Sequence, residues 1–241
     1  MSVTLLEGDC REIIPTLTQK FQCVFSDPPY GVKWSRKNLN YNIASRIENF
    51  IPGYCEVKKE EYAQFSIEWI GALKQVIDKT APIYTMTGWN NKRHILNAID
   101  ALKFKQWGEI IWQYNFGVYK KSNYIDAHQT ILYYSLKKPK FYDFCRFSTH
   151  KDSYHDRENV WHINRVQRKR GEPKTAPMAP EELIEKCLMY STLPGDWVLD
   201  PFAGTGTVAA VCKRIGRNCV CIEKNPNFIP HIKARLGISN Q

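Results

Sequence analysis

Short apolar segments alternate with longer amphipathic segments along this 241-residue chain. The short segments are rich in β-branched and aromatic residues, as strands are: Val3–Leu6, Gln22–Ser26, Pro82–Thr87, Gly108–Trp112, Thr130–Tyr134, Trp197–Asp200 and Cys219–Glu223. The longer segments carry apolar residues at helical spacing: Glu60–Ile77, Asn91–Leu102, Pro180–Tyr190, Thr207–Ile215 and Pro226–Leu236. Strands that alternate with helices predict an α/β fold with a mostly parallel sheet and helices on both faces.

The length of the chain favours a single domain over residues 1–241. Its 34 Lys and Arg against 24 Asp and Glu give a net charge of +10, which favours a polyanionic partner such as nucleic acid. We expect no metal site, because the cysteines do not form C-x-x-C pairs and most lie in apolar runs. No signal sequence or membrane-spanning run is apparent, so the expected location is the cytoplasm, associated with the nucleoid, with no membrane partner.

A glycine-rich turn near the C-terminus has the features of a nucleotide-type cofactor site. The strand Val198–Asp200 runs into Phe202-Ala203-Gly204-Thr205-Gly206, and a helix begins near Thr207. Small residues there let the backbone approach a ligand closely. The next strand ends in Glu223, which could accept hydrogen bonds from both ribose hydroxyls of an adenosine-containing ligand. This pattern alone does not separate NAD from S-adenosylmethionine.

The segment Asp27-Pro28-Pro29-Tyr30 follows a buried strand near the N-terminus. Two prolines fix two φ angles and remove two donors, so the segment is rigid and the Pro28 carbonyl stays available as an acceptor. A carboxylate beside a rigid carbonyl suits one task, which is to bind both hydrogens of an amino group. Tyr30 offers a flat face on which a flipped-out base could stack. The predicted catalytic residues are therefore Asp27, Pro28, Pro29 and Tyr30.

The chain resembles the β group of amino-methylating DNA methyltransferases, in which D-P-P-Y precedes the F-x-G-x-G cofactor segment and target recognition lies between them. Here Asp27–Tyr30 comes first and Phe202–Gly206 last, and the resemblance covers nearly the whole chain. It implies a Rossmann-like methyltransferase fold, S-adenosylmethionine as cofactor, and transfer of a methyl group to adenine N6 in DNA. It also leaves open a homodimer and a restriction endonuclease partner.

The resemblance also implies a set of cofactor-binding residues. Leu6–Cys10 resembles the family's opening motif, whose Asp contacts the cofactor adenine, and Asp9 stands at that position. With the glycine-rich turn, the predicted set is Asp9, Cys10, Asp27, Asp200, Phe202, Ala203, Gly204, Thr205, Gly206, Thr207, Glu223 and Lys224.

The middle of the chain is predicted to contact DNA. Residues 114–175 form a small recognition region, and between Tyr114 and Lys174 there are 13 Lys and Arg against 6 Asp and Glu, interleaved with aromatic residues. The polar stretch Lys33–Tyr54 is predicted to be a loop that could close over the flipped base.

Several alternatives remain at this point. Cytosine N4 is the nearest, although members of that kind usually carry Ser where Asp27 stands. A catalytically silent DNA-binding subunit would be expected to lose the acid or the glycines, and an NAD-dependent oxidoreductase would leave Asp27–Tyr30 unexplained. Cytosine C5 methylation needs a nucleophilic cysteine, commonly after proline, and no Pro-Cys occurs. An RNA substrate stays open, because related adenine methylases act on RNA with a similar motif.

Overall fold

A computed structural model describes residues 1–31, 57–115, 117, 121–143, 156–166 and 178–238. Within these ranges the strands are β1 Val3–Glu7, β2 Cys23–Ser26, β3 Ile83–Thr87, β4 Lys105–Gln113, β5 His128–Ser135, β6 Val160–His162, β7 Trp197–Asp200 and β8 Asn218–Glu223. The helices are α1 Cys10–Ile13, α2 Tyr62–Leu73, α3 Lys92–Ala101, α4 Glu181–Ser191, α5 Thr207–Ile215 and α6 Ile229–Leu236.

The strands form one sheet in the order β1-β8-β7-β2-β3-β5-β4-β6. Pairing is parallel everywhere except on the two sides of β5, which runs antiparallel to β3 and to β4. The prediction of a mostly parallel sheet is confirmed.

Helices cover both faces of the sheet, as predicted. One hydrophobic cluster packs α4, α5 and α6 against β2, β7 and β8, and includes Leu183, Val208 and Ile232. The other packs α2 and α3 against the opposite face, and its largest buried side chain is Trp69. The cysteines of the described ranges are buried and free, which confirms that they serve as small apolar residues.

Three elements differ from the sequence prediction. The four-residue helix α1 and the three-residue strand β6 are too short for a periodic pattern to reveal them. The predicted helix Pro226–Leu236 is a 3₁₀ turn, Pro226–Phe228, followed by α6, because Asn225 caps a tight turn by accepting from the Asn227 N–H at 3.0 Å. The predicted loop Lys33–Tyr54 lies outside the described residues.

The order of connections creates a crevice between β2 and β7. From β2 the chain passes through α2 to β3 on one side, whereas from β7 it passes through α5 to β8 on the other. In open α/β sheets, ligands bind outside the carboxyl ends of the strands at such a switch point. The carboxyl ends of β1, β8, β7, β2 and β3 all lie at this edge.

No helix in the described ranges is both long enough and apolar enough to cross a bilayer.

The fold makes a simple prediction about two tryptophans. Trp69 is fully buried, so Trp69→Ala should lower the free energy of unfolding by about 3–5 kcal/mol. Trp89 is 81% exposed, so Trp89→Ala should change it by less than about 0.5 kcal/mol. Urea denaturation of both variants checks this, and equal losses would contradict the assignment of the core.

Candidate active site

The loop Asp27–Tyr30 follows β2 at the crevice, and a hydrogen bond between two of its own side chains joins its first residue to its last. The Tyr30 hydroxyl donates to Oδ1 of Asp27 at 2.6 Å, and the Gln129 side chain donates to the Tyr30 oxygen at 3.2 Å. Asp27 is half-buried. The ring of Tyr30 lies against Gly88, where an added Cβ would be 3.0 Å from its Cδ1. The tyrosine therefore orients the carboxylate, and β3 and β5 hold the tyrosine.

The two proline carbonyls of this loop have different surroundings. The Pro29 carbonyl accepts a hydrogen bond from the Tyr62 hydroxyl, and the Asn91 amide nitrogen lies 3.5 Å from it. Among the described residues, none donates to the carbonyl of Pro28. Its role as an acceptor for a ligand beside Asp27 stays a prediction.

The glycine-rich turn connects β7 to α5 through two left-handed residues, Gly204 with φ +53° and Gly206 with φ +78°. A Cβ on Gly206 would lie 3.0 Å from Ile232, so this glycine allows α6 to pack closely. A Cβ on Gly204 would meet no atom within 4 Å. The turn therefore has a tight side toward the protein at Gly206 and an open side at Gly204.

Glu223, at the end of β8, joins two turns. Its Oε2 accepts from the Gly204 N–H and its Oε1 from the Asn225 N–H, both at 2.7 Å. Burial raises the pKa of this carboxyl, while these backbone donors oppose the rise. Each carboxylate oxygen can accept a second hydrogen bond, so Glu223 retains the capacity to bind a ligand hydroxyl.

Asp200, at the end of β7, is the most perturbed acid of the site. Burial raises its pKa to about 8; the hydrogen bond from the Phe202 N–H opposes the rise, and the carboxylates of Glu223 and Asp27 add to it. The three acids that the sequence singled out at the ends of β2, β7 and β8 are therefore close enough to interact. With a pKa of about 8, Asp200 is mostly protonated at neutral pH, and a ligand carrying positive charge would favour its ionised form.

Asp9 follows β1 and is surrounded by cations. Its carboxylate caps α1 by accepting from the Arg11 N–H at 2.9 Å, pairs with the Arg11 guanidinium at 2.8 Å and with Lys224 Nζ at 3.0 Å. The hydrogen bond from Arg11 holds the pKa of Asp9 well below its usual range. Cys10 is buried, and burial raises the pKa of its thiol.

The remaining residues of the predicted set support the turn. The Thr207 hydroxyl accepts from Arg235 at 3.2 Å, and Arg235 also donates to Glu181 at 2.6 Å, which links the turn to α6 and α4. The ring of Phe202 packs edge-on to Trp69, with 5.3 Å between centroids.

Sequence reasoning missed five residues that hold these groups in place: Arg11, Tyr62, Asn91, Gln129 and Arg235. Asn91 did stand at the start of a predicted helix, where an asparagine is usually read as a cap. The others carried no local signal.

Solved structures with the same architecture include a DNA methyltransferase and a protein in complex with S-adenosylmethionine. The PvuII DNA methyltransferase, described as cytosine-N4-specific, superposes with a TM-score of 0.76 at 17% identity, covering 98% of this chain and 86% of its own. The complex of M1.HpyAVI with S-adenosylmethionine superposes with a TM-score of 0.70 at 20% identity, covering 97% and 98%. These likenesses confirm the predicted methyltransferase fold.

Sequence comparison places the chain in a family. The type II methyltransferase M.HinfI from Haemophilus influenzae is 29% identical over 248 residues, which covers 97% of this chain and 68% of that protein. A family model described as "DNA methylase", of the N6/N4 methyltransferase type, matches residues 21–234. S-adenosylmethionine is the cofactor of this family. Because this family model matches most of its length, the chain belongs to the N6/N4 DNA methylase family.

Proposed function

We propose that this DNA methyltransferase transfers the methyl group of S-adenosylmethionine to the exocyclic N6 of adenine in a short DNA sequence, after the base is flipped out of the duplex. The observation that carries the proposal is the pair of acceptors at the end of β2, the Asp27 carboxylate and the Pro28 carbonyl. The aspartate at position 27 favours adenine over cytosine as the target base, because relatives that act on cytosine N4 usually carry Ser at this position.

The paired acceptors address the main difficulty of the reaction. The lone pair of an aromatic amine is delocalised into the ring, so the nitrogen is a poor nucleophile. Hydrogen bonds from both amino hydrogens to Asp27 and Pro28 favour a pyramidal nitrogen whose lone pair can point toward the methyl donor. The Tyr30 hydroxyl, which already donates to Asp27, keeps the carboxylate oriented while the ring of Tyr30 stacks on the base.

The acidic crevice fits S-adenosylmethionine. When bound, the cofactor supplies an electrophilic methyl group on a positively charged sulfur. Glu223 binds the N–H of Gly204 at the open side of the glycine turn, and Asp200 and Asp27 lie close enough to interact with it or with each other. Burial, and to a smaller extent these neighbouring carboxylates, raise the pKa of Asp200. Glu223 is suited to the ribose hydroxyls, and Asp9 with Cys10 and Lys224 borders the adenine end of the site.

Exposed rings and cations border the same edge of the sheet. Trp89 follows β3 and is 81% exposed, and Tyr124, in the connection from β4 to β5, is 92% exposed. Arg165 lies over the ring of Tyr114, 3.7 Å from its centroid. We assign DNA recognition to residues 114–175 on this basis, within a single domain over 1–241. A homodimer and an endonuclease partner are parts of the proposal that follow from the resemblance, and a nucleoid location is a part that follows from the DNA substrate.

The proposal is tested by transfer of labelled methyl from S-adenosylmethionine to unmethylated duplex DNA, followed by nucleoside analysis. N6-methyladenine is expected, and Asp27→Ala should lower its rate by about 100- to 1,000-fold because one preorganised acceptor is lost. N4-methylcytosine would overturn the base assignment. Methylation of RNA alone would overturn the proposal that DNA is the substrate. DNA binding without methylation would indicate a catalytically silent subunit.

A second prediction follows from the pKa of Asp200. A cationic ligand favours the ionised carboxylate, so S-adenosylmethionine should bind more tightly as the pH rises toward 8 and above. With a pKa of about 8 in the free protein, the affinity at pH 7 should be about tenfold weaker than at pH 9. Calorimetry at both pH values checks this, with Asp200→Asn as control: the dependence due to Asp200 should vanish there, and an unchanged dependence would refute its role.

The two glycines of the turn form a matched pair for a third prediction. Both have left-handed backbones, so alanine costs each about 1–2 kcal/mol of folding free energy. Gly206→Ala adds a clash with Ile232 and should be the less stable variant in thermal unfolding. Gly204→Ala places its methyl in open space and should weaken S-adenosylmethionine binding more than its stability loss explains. A greater loss of S-adenosylmethionine affinity in Gly206→Ala than in Gly204→Ala would show that the open side does not receive the cofactor, and a lower stability of Gly204→Ala would contradict the clash with Ile232.

A further inference from the structure

We propose that Tyr62 and Asn91 are positioning residues for methyl transfer. Together they hold the Pro29 carbonyl and so leave the Pro28 carbonyl as the acceptor for the amino group. The inference rests on the amino methylation proposed above, and neither residue belongs to the motifs that the sequence singled out.

The contacts form a closed network between three elements. The Tyr62 hydroxyl, from α2, donates to the Pro29 carbonyl, and the Asn91 amide donates to the Tyr62 oxygen at 2.9 Å. The Asn91 amide nitrogen also lies 3.5 Å from the Pro29 oxygen, and Asn91 Oδ1 accepts from the Gly88 N–H at 2.9 Å. Both side chains are 1% exposed. The carbonyl is therefore held by donors that water cannot easily replace.

The two ends of the Asn91 side chain have separate roles. Asn91 already has helical backbone angles, with φ −106° and ψ −16°, and makes no cap hydrogen bond to α3. Its Oδ1 accepts from the Gly88 N–H, and the Gly88 carbonyl accepts from the Lys92 N–H, so this oxygen stabilises the turn that leads into α3. Its amide nitrogen donates instead to the Tyr62 oxygen and lies near the Pro29 carbonyl. Helix formation therefore accounts for the oxygen of this side chain and not for the contacts of its nitrogen.

The loop needs donors from outside because prolines supply none. Pro28 and Pro29 lack N–H groups, and their φ angles are fixed near −65°. At each proline the ψ angle is the remaining soft torsion, because the peptide groups are planar. The Pro29 carbonyl belongs to the peptide group between Pro29 and Tyr30, so anchoring it holds that peptide plane. Since φ of Pro29 is fixed, this limits the orientation of the preceding peptide group, which carries the Pro28 carbonyl, relative to Asp27.

The hydroxyl of Tyr62 can be tested apart from its ring. The ring packs under Gly31, where an added Cβ would be 3.0 Å from Tyr62 Cδ2. Tyr62→Phe keeps this packing and removes the hydroxyl, with its hydrogen bond to the Pro29 carbonyl and the one it accepts from the Asn91 amide. Tyr84→Phe is a matched control, because Tyr84 is 3% exposed and its hydroxyl bonds to Ser191 Oγ at 2.6 Å, on another face of the sheet.

Single-turnover methylation separates positioning from stability. Tyr62→Phe should lower the rate of methyl transfer by about 10- to 100-fold, since small misplacements near the reacting atoms have effects of that size. The dissociation constant of S-adenosylmethionine and the KM for DNA should stay within about twofold. Tyr84→Phe should lose comparable stability in urea denaturation and keep its methylation rate.

Asn91→Ser tests the positioning role independently of Tyr62. Serine removes the amide nitrogen, and its short side chain cannot reach Tyr62 or Pro29. It also removes the Oδ1 that accepts from the Gly88 N–H, so urea denaturation of this variant measures the stability lost at the turn separately from the rate. The rate should again fall by about 10-fold or more. Because both residues act on one carbonyl, the double variant should be little slower than the slower single variant.

The outcomes are distinguishable. A wild-type protein that methylates no nucleic acid would overturn the proposed function itself. An active wild type would overturn the positioning role if Tyr62→Phe and Asn91→Ser methylate within twofold of it, if Tyr84→Phe is equally impaired, or if the two losses multiply in the double variant.

Discussion

The parallel pairing of β2 with β7 is the constraint on which the site depends. Val24 pairs with Leu199, so the two strands end side by side, and the chain leaves them in opposite directions. The loop that follows β2 carries Asp27, and the turn that follows β7 carries Gly204. Because parallel strands have their carboxyl ends at one edge, Asp27 and Gly204 lie at the same edge of the sheet although they are nearly 180 positions apart in the chain.

The net charge of the chain is opposite in sign to the acidic residues at this edge of the sheet. The chain as a whole carries +10, yet the crevice collects Asp27, Asp200 and Glu223. A basic surface with an acidic crevice suits two ligands of opposite charge, a polyanionic duplex outside and a cationic methyl donor inside.

Local signals made much of the structure predictable. Strands that alternate with helices determined the sheet, and the rigid Asp27–Tyr30 segment and the glycine turn were visible as short contiguous motifs. What stayed hidden depends on contacts between distant residues. Tyr62 and Asn91 lie 33 and 62 positions from Pro29, and nothing in their own neighbourhoods indicates that they bind its carbonyl. The pairing of Asp9 with Lys224 is hidden for the same reason.

The central claim is that the two acceptors at the end of β2 hold the target amino group. The most direct measurement is a crystal structure of the protein with a duplex containing its recognition site and with the demethylated cofactor. The account predicts a flipped base whose exocyclic nitrogen lies within hydrogen-bonding distance of both the Asp27 carboxylate and the Pro28 carbonyl, with Pro29 still bound to Tyr62. A flipped base whose amino group contacts neither acceptor, or binds the Pro29 carbonyl instead, would contradict it.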